Sequence, residues 1–299
     1  MSRTFRFLLA VIGIILLSVL LTPPLSALLS PFFRFEKIFN RLVMIFAVSA
    51  AVLFVLIPKM KKGGAAFDRE TWRVYGFDFT RPWKKLFLYG FLAGAISVIL
   101  LAVIEVAFGP RYLRSPLLIQ DIIERFLKGM MSGMTVGIVE EFFFRGFIYT
   151  RLRKKLNVIL TVILASAFYS LTHFFDNGQI FIPENPGIRD AFRLLFGYLE
   201  PLVMRPQMIL NEFIGLFLFG VVLNLAFIRT RSLFLSIGIH AGSVFIVKWQ
   251  YSFVRSGDDM ADPFFGKIPY YDGSIEWIVL ILLGFAVWFL TRKGRFSSH

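Results

Sequence analysis

Eight stretches of the chain are apolar for long enough to suggest bilayer crossing, which takes a helix of about 20 residues at a rise of about 1.5 Å each. They cover residues 7–29, 42–57, 86–108, 129–152, 158–175, 208–228, 233–254 and 275–290. Polar connections separate them, and no internal repeat or soluble second domain interrupts the pattern. The expected fold is therefore all-α, a polytopic membrane helix bundle of about eight transmembrane helices forming one integral membrane domain over 1–299. Arg3 and Arg6 precede the first apolar run as they would in a signal peptide. Its length and the spans that follow favour a retained helix.

Between the spans, Ser115-Pro116 predicts the start of a short helix with Leu118, Ile119, Ile122, Ile123 and Phe126 on one side, or else an extension of the fourth helix. Residues 176–205 form a long connection with Pro183, Pro186 and Pro201, read as a cap or an ordered loop.

Charge orients the bundle. With an internal N-terminus, the internal segments, including a basic cytoplasmic loop at 59–85, hold nineteen basic residues against Asp68, Glu70 and Asp78. The external segments, counted with the outer ends of the spans they join, carry 13 basic and 14 acidic residues. Such asymmetry follows the positive-inside rule and places both termini in the cytoplasm, with the cytoplasmic membrane as the expected location. The net charge of +14 thus marks topology, not nucleic-acid binding. Lys59 to Lys62 reads as part of that topology signal, and the 37 phenylalanines and the aromatic residues from Pro263 to Tyr271 read as lipid-facing bulk and interface anchors. With no cysteine, disulfides, thiolate nucleophiles and Cys-ligated metals are excluded.

Ionisable groups inside apolar helices are costly and mark sites. Four stand out: Glu140, Glu141, His173 and His240. In the fourth span Gly129, Gly133 and Gly137 repeat every four residues, a face that permits close helix contact, and Glu141 and Arg145 continue that series and are spaced to pair. Glu140 lies about 100° around the helix, with no basic residue three or four positions away. This separates the tasks of two neighbours: Glu140 takes a proton from water, while Glu141 and Arg145 hold the helix end, or form a structural ion pair. His173 and His240 are the candidates to orient the water and to stabilise an oxyanion. Helix rise puts Glu140 about 16 Å, His240 about 21 Å and His173 about 3 Å from the outer ends of their spans.

Glu-Glu-Phe-Phe-Phe-Arg at 140–145, Tyr169-Ser-Leu-Thr-His173, and the stretch from Gly220 to Ile237-Gly-Ile-His240-Ala-Gly resemble the three motifs of the CPBP (CAAX prenyl protease and bacteriocin-processing, Abi) intramembrane protease family, which includes the Ras-converting enzyme. The resemblance covers a core over 125–250, helices 4 to 7. It implies an intramembrane endopeptidase that hydrolyses peptide bonds of a membrane-associated protein or peptide with glutamate-activated water. Glu140 and His173 would activate the water, His240 would contribute to the oxyanion site, and Glu141 and Arg145 would support them. Two positions depart from the family pattern. Tyr169 stands where Phe is usual, and Val244 stands where Asn is usual, so Ser243 or Asn224 is the available substitute donor. Glu140, His173 and His240 also make a two-histidine, one-carboxylate set suited to zinc, although no His-Glu-x-x-His run supplies a separate base; metal-free catalysis, with no cofactor, is the preferred expectation. A catalytically impaired member acting in immunity or partner binding, and a proton-coupled transporter using Glu140, remain the alternatives.

Overall fold

The computed structural model describes residues 3–60, 68–174, 180–256, 264–266 and 270–292. Parts of the basic loop (61–67), of the long connection (175–179) and of the aromatic stretch, with Pro263, lie outside these residues, as do Lys293 and Arg295. The described chain is helical apart from one two-stranded ribbon. Five helical segments are long and apolar enough to cross a membrane, Val11–Leu29, Phe35–Phe54, Trp83–Phe108, Ile209–Thr230 and Leu233–Ser252, and two shorter apolar helices, Val158–His173 and Ser274–Leu290, accompany them. This is a polytopic, helical integral membrane protein.

The packing divides into two compact units, residues 1–66 with 171–209, and residues 67–170 with 210–299. The first contains α1 (Arg3–Leu29), α2 (Phe35–Met60) and, within the long connection, α8 (Ile188–Met204). Ala191, Leu194 and Tyr198 recur at helical spacing along α8 and bury with Val19 of α1 and with Phe35 and Phe39 of α2. The segment read as a cap or loop is therefore largely a helix.

The second unit holds α3 (Arg69–Val74), α4 (Trp83–Phe108), α5 (Ile119–Glu141), a π-helix (Phe142–Tyr149), α6 (Thr150–Leu152), most of α7 (Val158–His173), α9 (Pro206–Thr230, from Leu210 on), α10 (Leu233–Trp249) and α11 (Ser274–Leu290). No separate helix follows Ser115-Pro116: α5 runs unbroken from Ile119, with Leu118 just ahead of it as the N-cap, so the segment is the extension of the fourth helix that the sequence also allows. The ribbon, absent from the all-helical expectation, pairs β1 (Arg111–Leu113) antiparallel with β2 (Val254–Ser256), Tyr112 opposite Arg255.

The axis of this unit is α10, buried at every residue from Leu233 to Ser243. Ser232 caps it, its side chain accepting the Phe234 N–H. Two neighbours reach it through glycine. On α5, a Cβ at Gly129, Gly133 or Gly137 would press on the carbonyls of Phe245, Ala241 and Ile237 respectively, so the four-residue glycine series is the packing face its spacing predicted. On α4, Gly90 and Gly94 abut the carbonyls of Leu235 and Ile239, and Gly238 and Gly242 of α10 abut those of Phe87 and Phe91. Replacing Gly94 by Ala would force a methyl against the Ile239 carbonyl. We expect it to lower stability by about 1–3 kcal/mol, the usual cost of overpacking, read as an earlier thermal unfolding midpoint in detergent. An unchanged midpoint would mean that this contact is not tight.

The turn into α4 is held by Asp78, which is nearly buried. Burial raises its carboxyl's pKa, but the Thr80 hydroxyl and N–H, Arg81 and Arg73 together outweigh that and hold it below its ordinary 3.8; the Thr80 N–H lies at 3.1 Å and the Arg81 Nε at 3.1 Å. A carboxyl with a depressed folded pKa adds stability above its unfolded pKa and loses it as pH falls through the folded one. Asp78→Asn should therefore be less stable than wild type near neutrality, and the gap should close as pH falls below about 4. A gap that does not change with pH would contradict this.

Candidate active site

The final turn of α5 brings Glu140 and Glu141 into the bundle, and at Phe142 the helix widens into eight π-helical residues. The Thr150 hydroxyl donates to the Arg145 carbonyl five positions back, at 3.2 Å. Runs of π-helix are rare and concentrate at functional sites. The sequence, read at α-helical spacing, did not predict the widening. The Glu141 and Arg145 pairing it did predict is present: Arg145 Nη1 donates to Glu141 Oε1 at 2.9 Å.

Arg145 is fully buried and held on several sides. Its Nη2 donates to the Gly220 carbonyl of α9 at 3.3 Å, and its guanidinium stands 4.6 Å over the ring of Tyr169 on α7. The Tyr169 ring thus faces a cation, an attraction that strengthens where water is excluded.

His240 completes the centre from α10. Its Nδ1 lies 2.9 Å from Glu141 Oε1. An ionised carboxylate only accepts, so Nδ1 carries the hydrogen and donates it. Nε2 then points to Glu140, whose Oε2 is 3.9 Å away, beyond direct hydrogen-bond range. The imidazole is wedged edge-on between Phe219, at 5.5 Å, and Tyr169, at 6.2 Å. Exposure separates the two acids: the Glu141 side chain is sealed at 0%, while that of Glu140 retains 19%. Of the pair, only Glu140 keeps part of its side chain exposed, although the Oε2 that faces His240 is buried.

His173 closes α7, and residues from Leu171 onward group with the first unit. Asn224, buried, gives an amide hydrogen to the Ser166 hydroxyl at 3.0 Å. The Ser243 hydroxyl is within 3.2 Å of that of Tyr270. Both offered substitutes for the usual Asn are thus engaged with other partners. Tyr270, taken from the sequence as an interface anchor, is instead 4% exposed inside the protein. Nothing in the local pattern around Tyr270 signals this, whereas Tyr169 stood at a motif position. Among the described residues, no three His, Cys, Asp or Glu side chains converge as a metal's ligand set, so the alternative zinc set of Glu140, His173 and His240 does not fit their placement.

Fold and site together define a polytopic membrane protein with a buried Glu-Glu-Arg-His centre at the junction of four helices. Residues 121–246 match the family described as type II CAAX prenyl endopeptidase Rce1-like. That segment is similar to the Rce1-like family of CAAX-type proteases, and it contains every residue of the centre. No curated protein and no solved structure matches the chain.

Proposed function

We propose that the protein is an intramembrane endopeptidase that hydrolyses peptide bonds in a membrane-associated protein or peptide, using water activated by Glu140. The observation that carries this reading is the division between the two acids. Glu141 is sealed between Arg145 and His240, and Glu140 faces His240 Nε2 across 3.9 Å with part of its side chain accessible.

In this reaction Glu140 takes a proton as the water oxygen attacks the carbonyl carbon. Glu141 fixes the His240 ring through Nδ1–H, and the ring, when it carries a hydrogen on both nitrogens, offers Nε2–H to the carbonyl oxygen. Glu140 then returns its proton to the amide nitrogen, the C–N bond breaks, and an acid and an amine leave. His173 enters as a second water-orienting group on the family resemblance alone, and its substitution by Ala tests that role separately.

Val244, which cannot donate a hydrogen bond, supports a second reading: a member of the family without proteolytic activity that binds a partner. Mapping of membrane-protein termini in cells carrying wild type, Glu140→Ala or His240→Ala at matched expression decides between them. We expect at least one defined terminus to vanish in both variants. Identical termini in all three would remove the protease reading.

A further inference from the structure

We propose that Tyr270, in the connection between α10 and α11, is a positioning residue that holds the His240 ring in its working orientation by way of Phe219. The proposal deepens the reading above, but its test does not need a substrate.

Tyr270 adopts φ +95°, a conformation side chains rarely take. Such strain persists only where surroundings over-determine it, and it collects at functional positions. The surroundings here are specific. The Tyr270 N–H donates to Glu276 Oε1 at 3.0 Å, and the Gly273 N–H donates to Oε2 of the same buried carboxylate at 2.8 Å. The phenol reaches two helices, lying 2.9 Å from Ser97 Oγ on α4 and 3.2 Å from Ser243 Oγ on α10.

A count of hydroxyl protons gives the chain a direction. Ser97 donates its hydrogen to the Gly94 carbonyl at 2.8 Å, so toward Tyr270 it can only accept. Tyr270 therefore donates to Ser97, and Ser243 donates to Tyr270. Burial, eased by the two serine hydrogen bonds, pushes the phenol up to about 12, which keeps its proton in place at neutral pH. The arrangement uses the Ser243 hydrogen to anchor Tyr270. It also pins the ring whose edge meets Phe219 at 5.5 Å, and Phe219 meets His240 at the same separation. Phe219 is thus supported from behind by Tyr270 and presses on the imidazole that Glu141 holds from the other side.

The test reads His240 directly. The chain contains three histidines, His173, His240 and His299, so 15N-histidine labelling of the full-length protein in nanodiscs gives a spectrum assignable with single-histidine variants. Wild type should show His240 as one species with the hydrogen on Nδ1 at a pH where it is neutral. Tyr270→Phe, which removes only the hydroxyl, should add a second population in which Nε2 carries the hydrogen. Tyr270→Ala and Phe219→Leu should enlarge it, and Ser97→Ala should act as Tyr270→Phe does. A His240 signal unchanged in Tyr270→Phe and Ser97→Ala would overturn the proposal, and these two mild variants decide the matter should Tyr270→Ala fail to fold. A tautomer shift without any protease product would leave the positioning role standing and remove the catalytic reading.

Discussion

Replacing Arg145 by Met is expected to cost about 3–5 kcal/mol of stability, the range seen when one partner of a buried ion pair is removed. Arg145 and Glu141 are both sealed from solvent, with side-chain exposures of 1% and 0%, so the variant leaves a carboxylate whose remaining partners are His240 and Ser236. The size of the loss is set by that stranded charge more than by the attraction itself. Replacing both residues, Glu141→Leu with Arg145→Met, should therefore be less damaging than Arg145→Met alone, since no charge is left buried without its partner. Chemical unfolding of the purified protein in detergent measures both. A single variant within about 1 kcal/mol of wild type, the scale of an exposed pair, would mean that water reaches the centre.

The second large effect is on rate. Glu140→Gln keeps the shape of the side chain and removes its capacity to accept a proton. Loss of a general base lowers the rate by about 10²–10⁴, equivalent to roughly 3–5 kcal/mol in the barrier. Stability should fall less than for a change at Glu141, because the Glu140 side chain keeps 19% exposure while that of Glu141 is sealed. Glu141→Gln should lower both stability and rate, as it loosens Arg145 and His240 together. Single-turnover cleavage of a reconstituted substrate, measured beside thermal unfolding, separates the two acids. Equal rates for Glu140→Gln and wild type would place the base elsewhere, and a matching fall in stability would make Glu140 structural.

These contrasts were partly legible before any coordinates. The spacing of Glu141 and Arg145 predicted their contact, and the glycines every four residues predicted the face of α5 that meets α10. The partner of His240 was not legible. The sequence marked it only as a donor for an oxyanion, and the fold adds that its Nδ1 is held by Glu141, 99 positions away. Asn224 and Ser243 were reasonable replacements for the usual Asn by their distance along the chain. In the fold Asn224 bonds to Ser166 and Ser243 lies against Tyr270, partners 58 and 27 positions away. The aromatic stretch before α11 shows the limit most sharply, since lipid-facing and core aromatic residues have the same composition, and only packing buried Tyr270.

What the sequence by itself determined is what local geometry controls: the apolar lengths that make membrane helices, the loop charges that suggest their orientation, and side-chain neighbours one turn apart. These follow from a helix's rise and period, which each segment carries within itself. The tertiary structure decided the rest: the division into two packed units, the widening of the helix beyond Glu141, the joining of Glu141 to both Arg145 and His240, and the rings behind the imidazole. Those features depend on which helix faces meet and how closely glycine lets them approach, a choice made among distant segments whose contacts leave no periodic trace along the chain.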